Sequence, residues 1–196
     1  MKKEREVKVS MKKVYFVMMV LLIILLTPGC GQTSPADSAD IPFQLDADGN
    51  YTGFERLPES YTTEQAIRDG CYVRVDSEPV PGQKAWDAFL EKTADGEDAF
   101  LRIVNCYDDE VYYNDLFYID GYYRVFDSSA KDLQDRKFKH LLRLEGTLPN
   151  AARSDIVTIL TDDESLTYLD VMWSFLSSSY PPSTSPFELI MIDRDA

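Results

Sequence analysis

The sequence predicts an α+β fold: a single domain in which a mainly antiparallel β-sheet, built around a meander, packs against two or three helices. Three observations carry that expectation. Residues 99–126 hold three strand-like runs rich in aromatic and β-branched side chains, and Asp120-Gly121 between two of them is a strong two-residue hairpin signal. Other segments set apolar side chains at helical spacing behind capping residues. The length suits one well-buried core and hardly two.

A first helix is expected over 63–69. Thr62 and Gln65 form a capping box there, Ala66 and Ile67 supply an apolar face, and Gly70 ends the turn in the left-handed conformation. "CYVRV" alternates as a strand over 71–76. Trp86, Phe89 and Leu90 mark a second helix from Lys84 to about Lys92, closed by Asp95 and Gly96. Strands follow at 99–107, 111–119 and 122–126, turned by "YDDE" and by Asp120-Gly121. After the polar loop "DSSAKDLQDR", "KFKHLLRLEG" returns as a strand. Thr161 with Glu164 reads as a second capping box opening an amphipathic helix over 162–178, and the connector "SSSYPPSTSP" leads to a last strand, "FELIMID". The order is α-β-α-β-β-β-β-α-β, with the globular domain over 58–196.

The beginning of the chain carries an address. Lys12 and Lys13 precede an apolar run from Val14 to Leu26, whose 13 residues cover roughly 20 Å as a helix against a hydrocarbon core of about 30 Å. With Thr27, Pro28 and Gly29 before Cys30, residues 1–29 read as a secretory signal peptide. Met11 is a second candidate start, since it repeats the Met-Lys-Lys opening without Glu4 and Glu6. Gly29-Cys30-Gly31 resembles the bacterial lipoprotein signal, in which the cysteine thiol is lipidated and the peptide is cut before it; Thr27 stands where that pattern usually has an aliphatic residue. The resemblance implies lipidation at Cys30, acyl anchoring, and a place on the extracytoplasmic face of the cell membrane. Over 30–57 a flexible linker, Gly31 to about Asp40, and then an irregular lead-in packed partly on the domain are expected. A plain secreted chain and an uncleaved anchor are the alternatives.

Removing residues 1–29 takes six basic and two acidic side chains from totals of 20 and 34, which moves the net charge from −14 to −18. Such a surface repels phosphate backbones and excludes nucleic acid as a partner. It also repels an anionic membrane face, leaving attachment to the lipid on Cys30, and attracts basic peptides, cationic polymers or a basic protein.

The segments "TTEQAIRDG" with "YVRVD", "WDAFLEKTADGEDAFLRI" and "LFYIDGYYRVFDSS" resemble, in order and spacing, a family of uncharacterised lipoproteins of Gram-positive bacteria, a domain of unknown function. The likeness spans about residues 60–146. It implies an exported, anchored α+β domain and brings no catalytic residues.

No catalytic residue, metal-ligand set or cofactor motif is assigned. His140 is the only histidine and alternates onto the face of Phe138, Leu142 and Leu144, the position of a packed, hydrogen-bonded side chain. Asp46, Asp48 and Asn50 have the spacing of a calcium loop, but Tyr51 and Leu57 stand where it needs glycine and glutamate; a turn with left-handed Gly49 is expected. Asp108, Asp109, Glu110 and Asp115 are the acidic candidates for acid-base work. A crossover would set Cys71 and Cys106 at opposite strand ends, about 20 Å apart against a reach of ~7 Å, so free thiols are expected. The meander tyrosines Tyr112, Tyr113, Tyr118, Tyr122 and Tyr123 form the candidate ligand-binding set, as a stacking surface for an envelope polymer, a glycan or a peptide. The function expected is a non-enzymatic, envelope-associated binding module. The alternative is a carboxylate-dependent hydrolase of envelope polymers.

Overall fold

The computed structural model describes residues 43–57, 61–108, 110–176 and 185–194. The signal segment, Cys30 and its spacer, Asp109 and most of the Ser/Pro connector lie outside the described residues. Among the described residues no helix is long and apolar enough to cross a membrane.

Helix α1 (Thr63–Arg68) starts as its capping box requires, with the Gln65 N–H donating to the Thr62 hydroxyl and the Thr62 N–H to Gln65 Oε1, both at 3.2 Å. Strand β1 (Tyr72–Val75) turns through Asp76 and Ser77 into a two-residue partner, β2 (Glu78–Pro79). The Gln83 amide bonds both the N–H and the carbonyl of Val73, extending the pairing that β2 begins. Helix α2 (Ala85–Ala94) crosses back, so β3 (Ala99–Tyr107) runs parallel to β1. Strands β4 (Glu110–Ile119) and β5 (Tyr122–Asp127) continue as antiparallel hairpins. Asp120 at φ 55° and Gly121 at φ 78° are the two left-handed residues that a type I′ turn demands. These strands form one mixed sheet in the order β2-β1-β3-β4-β5.

The chain then builds a separate antiparallel sheet, β6 (His140–Gly146), β7 (Asp155–Thr161) and β8 (Phe187–Arg194), with β7 in the middle. Helix α3 (Tyr168–Leu176) packs Tyr168, Val171 and Met172 against Val157 and Ile159 on one face of it. The other face meets the first sheet. Leu160, Ile190 and Met191 join Leu101, Ile103 and Leu116, and Trp86 and Phe89 of α2 close the same core. The fold is α+β, with two sheets where one was expected.

Three expectations change. Strand β7 was not anticipated: it buries Val157 and Ile159 towards α3 and Leu160 towards the first sheet, so burial runs unbroken from Val157 to Thr161 rather than alternating. The expected capping box at Thr161 and Glu164 does not open α3. Thr161 ends β7, fully buried, and its hydroxyl donates to the Pro186 carbonyl and accepts from the Asp163 N–H. The box sits six residues on, where the Thr167 hydroxyl and N–H donate to the Asp170 carboxylate and the Asp170 N–H returns to the Thr167 hydroxyl. Finally, the packed body begins by Phe43 rather than at residue 58. Tyr51 is 2 % exposed, and its ring stacks on Phe126 with centroids 4.2 Å apart. Phe43, Tyr51 and Phe54 cover the face of the first sheet that the second sheet leaves open.

Candidate functional site

The register of the meander decides what its tyrosines can do. Tyr113 and Tyr122 point to the face covered by the lead-in, whereas Tyr112, Tyr118 and Tyr123 point to the face that meets the second sheet. Tyr113 is buried, and Tyr118 packs on Tyr123, centroids 4.7 Å apart, against the main core. The five therefore do not form one stacking surface, because both faces of the sheet are covered. Tyr122 stays exposed by itself at the β4–β5 hairpin, and the accessible aromatic pair is a rim at the β3–β4 end. Tyr107 packs on Tyr112 at 6.2 Å, the Tyr107 hydroxyl lies 3.2 Å from Ser77 Oγ, and the Tyr112 hydroxyl donates to Glu110. Val75 and Val111, both exposed, flank Cys106 across the sheet on the other side of this end.

The acidic candidates separate as well. Asp115 is fully buried. Its two oxygens accept from Arg102 Nε and Nη2 at 2.6 Å each, and Oδ2 also takes the Tyr51 hydroxyl at 2.6 Å. Burial, then the charge of Asp115, pushes the Tyr51 phenol far above its ordinary value. This arrangement anchors the lead-in to the sheet and leaves the carboxylate no open oxygen for a substrate proton. Asp108 lies in the turn before β4 at φ 46°. Asp109 lies outside the described residues.

His140, half-buried at the start of β6, sets Nδ1 2.9 Å from Glu164 Oε1. Asp46 Oδ1 accepts from the N–H groups of Asp48 and Asn50, Oδ2 accepts from the Asn50 side chain, and Gly49 has φ 85°, so the "DADGN" segment is a closed turn. Among the described residues no three His, Cys, Asp or Glu side chains are grouped to hold a metal ion. Cys71 and Cys106 are free thiols. Tyr72 pairs with Ile103 and Val75 with Cys106, so the cysteines stand four strand positions apart, about 13 Å, less than the 20 Å expected and still beyond disulfide reach.

Three buried arginines escaped the reading of the sequence. Arg74, Arg102 and Arg124 sit inside β1, β3 and β5, at 4, 7 and 4 % exposure, paired with Asp193, Asp115 and Asp135. Their signal is one basic residue within an apolar strand: "YVRV", "FLRIV", "YYRVF". Arg124 also donates to the carbonyls of Ile119 and Tyr122 and lies over the Phe43 ring, tying the type I′ hairpin to the lead-in.

Comparison with protein-family models, curated proteins and solved structures finds no match.

Proposed function

We propose that the chain is a lipid-anchored extracytoplasmic protein whose folded body is a non-enzymatic binding module. The observation that carries the anchor is Cys30 placed directly after a 13-residue apolar run and the small residues Thr27, Pro28 and Gly29. Residues 31–40 hold no large apolar side chain, the composition of a spacer between an anchor and a body. A thioether-linked diacylglycerol supplies the two acyl chains that stable attachment needs.

Binding is favoured over hydrolysis because Asp115, the buried carboxylate of the meander, is taken up by Arg102 and Tyr51. The accessible aromatic pair of the meander is Tyr107 with Tyr112, beside Ser77. A basic peptide or an envelope polymer suits the net charge of −18 that follows from processing.

The test replaces Cys30 with Ala and fractionates cells. The variant is expected to leave the membrane fraction, and mass spectrometry of the parent is expected to find lipid on Cys30. Unchanged partition together with an unlipidated parent sinks the anchor. Binding is tested separately by recovery of envelope fractions on the immobilised protein, with Tyr112→Ala and Tyr107→Ala lowering the yield. Turnover of an envelope polymer by the parent, with no recovery, would replace the binding reading with the hydrolase.

A further inference from the structure

The Tyr107–Tyr112 rim offers ring faces rather than hydroxyls. Asp76 and Ser77, at φ 50° and 69°, turn β1 into β2, and the Asp76 N–H donates to the Cys106 carbonyl at 3.0 Å, which lays this turn beside Tyr107. Arg74 fixes the turn: Nη2 donates to the Ser77 carbonyl at 2.5 Å and to Asp193 Oδ1 at 2.7 Å. The Ser77 hydroxyl lies 3.2 Å from the Tyr107 hydroxyl, and Glu110 takes the Tyr112 hydroxyl. With both phenols engaged, what the pair presents to a ligand is its two π-faces, with centroids 6.2 Å apart and planes inclined at 56°. Tyr107 is 37 % exposed and Tyr112 half-buried.

The charge around the rings decides which occupant fits. Asp108 follows Tyr107 in the chain, Glu110 is its register partner across β3 and β4, and Asp76 stands in the turn bonded to the Cys106 carbonyl. All three are exposed, and none forms an ion pair with a described residue; those pairs take Asp115, Asp135, Glu164, Glu188 and Asp193. Arg74, the basic residue in the register row of Tyr112, is neutralised by Asp193. An aromatic face carries the negative side of the ring quadrupole, so rings and carboxylates favour the same sign of charge independently. A lysine ammonium or an arginine guanidinium answers both, whereas a neutral sugar answers the rings alone.

We infer that this rim docks a cationic side chain, lysine or arginine, of a basic peptide. The side chain lies across the faces of Tyr107 and Tyr112, with its charge among Asp76, Asp108 and Glu110. The inference rests on the reading of the body as a binding module and names the ligand chemistry for it.

The experiment titrates the full-length protein in non-ionic detergent, by calorimetry at low salt, with tetralysine blocked at both ends, with the same peptide acetylated on every side-chain nitrogen, and with chitotetraose. Saturable binding of tetralysine is expected, and none of its acetylated form. Tyr107→Leu and Tyr112→Leu should each weaken it about fivefold, whereas Tyr107→Phe and Tyr112→Phe, which keep the ring faces, should weaken it by less than about twofold. Glu110→Gln should weaken it about threefold, while Glu91→Gln, which removes an equal charge from an exposed position on α2, should leave it unchanged. Equal losses at Glu110 and Glu91, or affinity that survives both leucine substitutions, mean bulk attraction to an acidic body, and either result overturns the inference. So does the absence of saturable tetralysine binding. If chitotetraose binds instead and weakens in the leucine variants, the binding reading stands with a neutral glycan as its ligand. If neither probe binds and no envelope fraction is recovered, both readings fall.

Discussion

Tyr51 and Arg102 illustrate how unevenly the members of a buried cluster contribute. Removing the Tyr51 hydroxyl takes one neutral donor from Asp115 and leaves both guanidinium bonds in place, so Tyr51→Phe should cost about 1 kcal/mol in thermal unfolding. Arg102→Ala strips the carboxylate of its counter-charge in a site closed to water, and should cost about 3 to 5 kcal/mol. Equal losses in the two variants would contradict the ion pair as the main support of Asp115. The same phenol makes stability depend on alkaline pH. In the unfolded chain a tyrosine loses its proton near pH 10, whereas folded Tyr51 keeps it well above that. Above pH 10 the unfolded state therefore binds fewer protons than the folded one, and stability falls as pH rises. The contribution is complete below pH 10 and declines by about 1.4 kcal/mol per pH unit beyond it. Melting curves between neutral and strongly alkaline pH should show Tyr51→Phe losing that share of the slope. Tyr61, Tyr72, Tyr113, Tyr123 and Tyr168, also raised chiefly by burial, contribute to the remainder.

At the level of elements, local signals predicted well where each strand or helix carried its own punctuation. The Thr62–Gln65 box, the Asp120-Gly121 turn and the run 99–107 all formed where the residues placed them. Strand β7 had no such mark, since its identity depends on being covered on both sides, a property of the assembled molecule. Missing it also misplaced α3: with no strand before it, Thr161 looked like a free cap, although its hydroxyl is bound to the Pro186 carbonyl. The candidate tyrosines were legible as residues and illegible as a site, because which face is covered depends on the lead-in and the second sheet. The position of the cap can be measured. Thr167→Ala should destabilise the protein by about 1 kcal/mol, while Glu164→Ala, which removes only a surface contact with His140, should change stability by less than about 0.5 kcal/mol. A larger loss at Glu164 than at Thr167 would return the helix start to the earlier box. Gly146 gives a steric check on the seating of α3, since a methyl group there would come within 2.2 Å of the Tyr168 ring; Gly146→Ala should therefore cost more than Gly121→Ala, where a Cβ meets nothing within 4 Å and only the left-handed backbone opposes it.

Across the whole molecule, the first sheet is covered twice, by the second sheet on one face and by the lead-in with α1 on the other. That second cover comes from the irregular lead-in, which the sequence leads one to expect only partly packed on the domain. Phe43, Tyr51 and Phe54 give it the character of a strap: Tyr51 reaches Asp115, the Phe43 ring lies under Arg124, and Phe54 meets Tyr51 edge-on at 5.2 Å. A chain cut to begin at residue 58 loses all three. Phe117 and Phe126, each 2 % exposed in the intact fold, would face water, and Asp115 and Arg102 would lose their cover. Uncovering that much aromatic surface costs several times about 2 kcal/mol, a large part of the total stability of a domain this size. A chain beginning at residue 36 should therefore unfold cooperatively in urea with sharp near-ultraviolet circular dichroism. The chain beginning at residue 58 should lose that signal and bind apolar dyes while keeping much of its strand content. If both unfold with the same midpoint and slope, the strap is a passenger on the sheet, and the folded body begins where the alternating pattern of the sequence first puts it.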